Sequence, residues 1–395
     1  MFMNRERLRL EMERSGFETL VATSKENVFY ASGFTSLSQK LIKATQVYAM
    51  VSLKDDLKPV VISPVGDADL IASDFPVDHG FLTYGTFYYE IGSDNLPPVE
   101  RKLKSLAVDR PSKANAQEAL ISYLQEAGLG KSRIGLDESN LNQTQFQSIR
   151  GALPGAEVVP AARSFRYARM VKTPREIELL HRAVACTEHA MEACLKAAAP
   201  GITEQAMGRI FDRTLIDEGA EPLFAVIAFG ERGALPNAPA TARELKPGDT
   251  IRFDIGCVYG GYTADIARTA AFGEVDPRLK AYYQALLTGE NAGLEVCRPG
   301  RQASEVFNAV VEAVRKAGIP RYRRHHVGHG IGLEPYDAPL LGPADDTVLE
   351  EGMVLCVEPP YYELGVTGLQ VEDTIVVEKS GARLLTRTTR ELCQI

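Results

Sequence analysis

Two aspartates, Asp254 and Asp265, sit in an otherwise apolar pair of strand-like runs, Thr250–Gly256 and Tyr262–Thr269, joined through Tyr259-Gly260-Gly261. Aspartate is depleted in strand interiors, and like charges facing each other across a hairpin destabilise it. Pairing about that turn predicts Asp254 directly opposite Asp265, an arrangement that needs a cation between them. A second pair repeats the pattern. Glu358 closes the apolar run Val354–Val357, and after a loop through Gly365 and Gly368, Glu372 lies in the run Leu369–Val377. Glu358 and Glu372 are expected as cross-strand neighbours. Four buried carboxylates without a counter-ion would each carry several kcal/mol of desolvation cost, besides their mutual repulsion.

The chain has six histidines, and three of them fall in His325-His326-Val327-Gly328-His329-Gly330-Ile331-Gly332. The glycines admit close backbone approach, and imidazole is a common metal ligand. A carboxylate-rich set with one imidazole suits two Mn²⁺, Co²⁺ or Zn²⁺ ions, whereas thiolate ligands would point elsewhere. Such a pair activates a water at neutral pH and polarises a carbonyl. The chemistry expected is hydrolysis of an amide or peptide C–N bond.

Taken together, these residues resemble the five-ligand signature of the "pita-bread" metallopeptidases, family M24, in the prolidase, aminopeptidase P and creatinase-like branch. The resemblance implies an α+β fold, with a pita-bread catalytic domain preceded by an α/β creatinase-type N-terminal domain. It implies that Asp254 binds one metal, that His329 and Glu358 bind the other, and that Asp265 and Glu372 bridge the pair. Glu358 would also shuttle the proton of the bridging water, as general base and then acid. His325 matches a further family histidine that lines the substrate pocket. Two divalent ions (Mn²⁺ foremost, with Co²⁺ or Zn²⁺ as alternatives), a small peptide or amide substrate and a homodimer are implied with it.

Three positions depart from the pattern. Peptidases of this branch carry a histidine in an Ala-Leu-Pro-His-Ala segment, which here reads Ala234-Leu235-Pro236-Asn237-Ala238. A second histidine, seven residues after the metal-binding one, is Tyr336. An arginine two residues before the last ligand glutamate is Gln370. Asn237, Tyr336 and Gln370 are therefore the candidate substrate-binding residues. Asn237 and Tyr336 can donate hydrogen bonds, but neither carries a positive charge near neutral pH. The activity expected is that of an Xaa-Pro dipeptidase or aminopeptidase. One rival is a creatinase- or ectoine-hydrolase-like amidohydrolase acting on a small non-peptide metabolite, another a catalytically silent binding protein on the same fold. Five intact ligands weigh against both creatinase itself and a silent member, while the altered neighbours weigh for a non-proline substrate.

The elements that must position these residues are visible in outline. At 395 residues two domains are expected, and their boundary falls near a basic connector, Arg163–Arg169, giving domains 1–165 and 166–395. The first domain alternates helical and strand-like segments, with apolar runs at Thr19–Thr23, Val47–Leu53, Val60–Ser63 and Ile134–Leu136. The second opens with Thr173-Pro174-Arg175-Glu176, a capping box with Pro at the first helical position. Further helices are expected over Thr203–Gly219, Asp276–Cys297 and Ser304–Ala317, separated by strand-rich stretches at 222–230, 249–272, 322–335 and 352–379. Lys+Arg 44 against Asp+Glu 52 gives a net charge of -8, which speaks against a nucleic-acid or anionic-membrane partner. No apolar run approaches the ~20 residues of a membrane span, and Met1–Arg7 is charged at once, so a cytoplasmic protein is expected. Six cysteines without CxxC spacing are read as reduced, buried thiols.

Overall fold

Apolar runs punctuated by turn residues become the strands of two separate units. The computed structural model describes residues 3–54, 57–74 and 79–395, so Met1 and Phe2 of the charged N-terminal stretch lie outside the described residues. The chain divides at Arg169/Met170. In the first unit, β1 (Thr19–Ala22), β2 (Tyr48–Ser52), β3 (Val60–Pro64), β4 (Gly80–Tyr84), β5 (Arg133–Leu136) and β6 (Glu157–Pro160) form a mixed sheet in the order β4-β3-β2-β1-β5-β6. Asparagines cap helices of this unit. Asn4 caps Arg5–Ser15, and Asn115 caps Ala116–Glu126, each accepting a backbone N–H through its side chain. The basic connector is not irregular. Ala162–Met170 is a helix, because Ala162, Phe165 and Ala168 recur at helical spacing and are buried.

The second unit contains two further sheets. β7 (Glu221–Phe229), β8 (Thr250–Tyr259), β9 (Tyr262–Thr263) and β10 (Ile266–Ala271) belong to one of them. β11 (Gly328–Gly330), β12 (Asp337–Leu340), β13 (Val354–Val357), β14 (Tyr361–Glu363), β15 (Thr367–Leu369), β16 (Asp373–Glu378), β17 (Gly381–Leu384) and β18 (Cys393–Gln394) follow. The first sheet runs β18-β10-β8-β7 with β9 on β8, the second runs β12-β11-β13-β16-β17, and β14-β15 is a separate ribbon. Within 322–335 only Gly328–Gly330 is strand; the glycines that surround it favour turns over a longer ladder.

Helices Pro174–Ala197 and Glu204–Asp217 pack on the β7–β8 side, and Pro277–Val296 packs with Ala303–Lys316 over the second sheet. The capping box at Thr173 and Glu176 is formed, and Glu176 Oε1 also accepts from the Tyr262 hydroxyl at 3.0 Å, tying the helix start to β9. The two sheets meet where Ala267 of β10 pairs with Glu372, whose N–H donates to the Ala267 carbonyl at 3.0 Å. Among the described residues no helix is long and apolar enough to cross a membrane. All six cysteines are unbonded, and all but Cys393 are buried.

The predicted hairpin register is corrected. Gly260 and Gly261 alone make the turn, both at positive φ (57° and 86°), so Tyr259 pairs with Tyr262 and Asp254 faces Ala267 instead of Asp265. The slip is two residues. A strand's side chains alternate with period two, so both aspartates stay on the same face as diagonal neighbours. The second pairing is as expected: Val357 faces Asp373 in β13–β16, and continuing that register sets Glu358 beside Glu372.

Gly328 and Gly330 flank His329 in β11, and a Cβ fits at neither. It would lie 2.0 Å from the Cys356 carbonyl oxygen at Gly328, whose φ is 145°, and 2.1 Å from the Ala338 carbonyl oxygen at Gly330. Gly328→Ala is expected to lower stability by ~1–3 kcal/mol through backbone strain and overpacking, read as a lower denaturation midpoint. An unchanged midpoint would refute the crowding.

Candidate metal centre

His329 comes from β11, Glu358 from the end of β13, Glu372 from the bridge before β16, Asp254 from β8 and Asp265 from the break between β9 and β10. Ligand atoms of Asp254, Asp265 and Glu372 lie within 4.8 Å of one another. His329 Nε2 is 3.7 Å from Asp265 Oδ2 and 3.6 Å from Glu358 Oε1. His329, Asp265, Glu358 and Glu372 are buried, and Asp254 is partly exposed.

The donor chemistry of this set fits a divalent cation. His329 Nδ1 lies 3.0 Å from the Gly330 carbonyl oxygen, which can only accept, so Nδ1 carries the proton and Nε2 keeps its lone pair. That Nε2, Asp265 Oδ1, Glu358 Oε1 and Glu372 Oε1 are buried without a hydrogen-bond partner. Other buried carboxylates of the chain are treated differently. Glu204 accepts from the N–H groups of Phe229 and Thr241, the Thr241 hydroxyl and Arg232, and Asp137 accepts from Thr23, Ser24, Asn27 and Ser139. Glu290 also has unpartnered oxygens, but Arg390 Nη1 stands 3.5 Å from it. Orphaned oxygens gathered around one lone-pair nitrogen are a donor set that could hold a metal ion.

The electrostatics agree. Burial, and then the neighbouring carboxylates, hold Asp265 and Glu372 well above the usual carboxylate range. Burial and the Asp254 charge push Glu358 up to about 8, with Arg324 opposing. Burial raises Asp254 too, while Arg252 opposes it. The imidazoles of His326 and His329 are each pushed down to about 4, chiefly by burial.

The remaining candidates are distributed unevenly. His325 is exposed, with its ring edge-on to His326 at 4.3 Å between centroids. His326 is the histidine whose Nδ1 lies 3.4 Å from Glu358 Oε1. Tyr336, 57% exposed, stacks on the His329 ring at 3.8 Å and covers it on the solvent side. Asn237 is exposed on its loop, whereas Gln370 is buried, with Nε2 3.5 Å from both Glu358 Oε2 and Glu372 Oε2. Cys356 was not a sequence candidate, yet its sulfur lies within 4.8 Å of ligand atoms of His329 and Glu372. Its place two residues before Glu358 on one strand face was the available signal. Burial and the carboxylates of Glu372 and Asp265 keep its thiol protonated.

Comparison with known proteins places these features in context. The model of metallopeptidase family M24 matches residues 178–379, and that of the creatinase/prolidase N-terminal domain matches residues 4–171. The uncharacterised peptidase YqhT of Bacillus subtilis is 31% identical over 265 residues, 67% of this chain and 75% of that protein. The Xaa-Pro dipeptidase of Pyrococcus furiosus is 34% identical over 226 residues, 57% of this chain and 65% of its own. Among solved structures, the Xaa-Pro dipeptidase from Bacillus anthracis aligns with a TM-score of 0.80 at 26% identity, covering 99% of this chain and 98% of that one.

A pH dependence follows from the raised carboxylates. Folded, metal-free protein holds a proton on Glu358 up to about 8, whereas the unfolded chain releases it near 4.5, so this stability is lost as pH rises through that window. His326 and His329 act oppositely, but only between about 4 and 6.5. With chelator present, the melting temperature should therefore fall from pH 6.5 to 8, and saturating divalent metal should remove the fall by favouring the ionised carboxylates. A chelated protein whose midpoint is flat or rising across that interval would contradict the assignment.

Proposed function

Because the chain belongs to metallopeptidase family M24 and is a metal-dependent hydrolase, we propose that it is a dinuclear dipeptidase cleaving Xaa-Pro or closely related dipeptides. The observation that carries this reading is the cluster of unpartnered carboxylate oxygens facing the free Nε2 of His329. Asp254 would hold one ion, His329 and Glu358 the other, and Asp265 and Glu372 would lie between them. Bound there, the ions supply Lewis-acid polarisation of the scissile carbonyl and a water acidified to near neutrality. Glu358 takes up the proton of the attacking water and returns it to the leaving amine; its carboxyl is buried and its Oε1 has no competing donor. Tyr336 and Asn237, both exposed, would present neutral hydrogen-bond donors to the substrate, and the exposed His325 would contribute a further side chain to its binding.

Mn²⁺ as the metal, a homodimer and a cytoplasmic setting belong to the same proposal, the last supported by six unbonded cysteines. So does a catalytic domain of 166–395 behind an N-terminal domain of 1–165. The neutral Asn237 and Tyr336 favour a second substrate class, small non-peptide amides.

Asp265→Ala and Glu372→Ala are each expected to abolish two-ion occupancy, measured by elemental analysis, together with hydrolysis of Xaa-Pro dipeptides. Glu358→Gln is expected to lower kcat by ~10²–10⁴-fold. Full metal occupancy and turnover in Asp265→Ala or Glu372→Ala would overturn the site. Bound metal without cleavage of any dipeptide would move the substrate to the non-peptide class.

A further inference from the structure

A fully buried cation stands beside the carboxylate cluster at a position the family signature does not mark. Arg252, the bulkiest of the fully buried side chains among the described residues, lies two residues before Asp254 on β8 and so projects from the same face. Its Nη1 donates to Asp254 Oδ2 at 3.0 Å and to Gln370 Oε1 at 2.8 Å. Its Nη2 donates to the carbonyl oxygens of Leu235 and Pro236 at 2.8 and 2.9 Å, in the segment that carries Asn237. The guanidinium also lies over the Tyr362 ring, 5.3 Å from its centroid.

An amide side chain has one accepting end and one donating end. With Gln370 Oε1 turned to the guanidinium, its Nε2 is left facing Glu358 Oε2 and Glu372 Oε2, 3.5 Å from each. One arginine thus reaches Asp254 directly and the two glutamates through a neutral relay. We propose that Arg252 is a positioning residue of the metal centre. It supplies from β8 the positive charge that the family signature places at position 370, and it makes glutamine the residue that fits there.

The two positions exclude each other as sites of charge. An arginine at 370 would set a second guanidinium against Arg252, and like charges at that range in a buried site are costly. A glutamine at 370 without Arg252 would leave the Asp254 carboxylate with no counter-charge of its own. Arg252 holds Oδ2 of Asp254, whose carboxylate belongs to the cluster with Asp265 and Glu372, as outer residues around a metal site commonly do. The same contacts account for the burial of Gln370, which is held on both sides and turned away from solvent.

The inference rests on the metal-centre reading, and the test separates the two. Mn²⁺ is titrated calorimetrically into the metal-free full-length chain, with thermal unfolding followed by circular dichroism as the control for folding. Arg252→Met is expected to weaken Mn²⁺ binding ~10–100-fold. Gln370→Arg alone also weakens it, and the double variant R252M/Q370R recovers most of the loss. Unchanged Mn²⁺ affinity in Arg252→Met, or a double variant that binds no better than Arg252→Met, overturns the proposal. Should Arg252→Met fail to fold, a soluble, Mn²⁺-binding double variant supports it and an insoluble double variant overturns it. A wild-type chain that takes up no Mn²⁺ overturns the metal-centre reading, and this proposal with it.

Discussion

Carboxylates brought together in a buried volume repel one another and lose hydration, and both costs grow as the site closes. Here Asp265, Glu358 and Glu372 converge on one imidazole nitrogen, with Asp254 beside Asp265 and Glu372, and of the four carboxylates only Asp254 keeps partial contact with solvent. Elsewhere the fold gives its buried acids hydrogen-bond donors or, at Glu290 and Asp373, a guanidinium at 3.5 Å. Glu204 anchors the loop before β8 with donors on both oxygens, and Asp137 caps the chain after β1 in the same way. The orphaned oxygens of the cluster are therefore a local exception, of the kind found where a function needs open ligand positions. Two divalent cations would balance four carboxylates, whereas Arg252 beside Asp254 and Arg324 opposite Glu358 supply two positive charges.

The scaffold holds this arrangement from behind. Arg268 donates to the carbonyl oxygens of Ala267 and Glu372, the two residues that join the sheets, and to Asp373 Oδ1 at 2.6 Å. Its Nε reaches the Thr389 carbonyl at 2.9 Å, drawing the C-terminal segment against the same wall. On the other flank, the glycines around His329 let β11 approach β13 and β12 closely, and the His329 imidazole is tied by Nδ1 to the Gly330 carbonyl. The five residues of the cluster thus stand on or next to strands joined by backbone pairing, and side chains such as Arg252 and Gln370 hold their carboxylates from within. Such preorganisation is what a two-metal hydrolytic site requires of its protein.

Much of this was legible in the sequence because it depends on period and composition. Carboxylates inside apolar strands, and a histidine between glycines, announce themselves without tertiary information. The hairpin register differs from the expected one because the turn uses two glycines at positive φ, which sets Asp254 opposite Ala267 and not Asp265; the strand's period of two keeps both aspartates on one face all the same. What sequence could not resolve depends on long-range geometry. His325 and His326 are adjacent, and only the fold shows that His326 approaches Glu358. Arg252 and Gln370 are 118 residues apart, and an isolated arginine in a strand gives no hint of its partner. The Ala162–Met170 helix was obscured by its arginines, although its buried face has helical spacing.

The central claim is that the carboxylate–histidine cluster is a two-cation site. Anomalous diffraction from crystals grown with Mn²⁺ tests it most directly. The account predicts two strong peaks inside the cluster, one touching Asp254, the other touching His329 and Glu358, with Asp265 and Glu372 reaching both. Well-ordered crystals with no anomalous peak among these residues, or with Mn²⁺ bound only elsewhere on the chain, would contradict it.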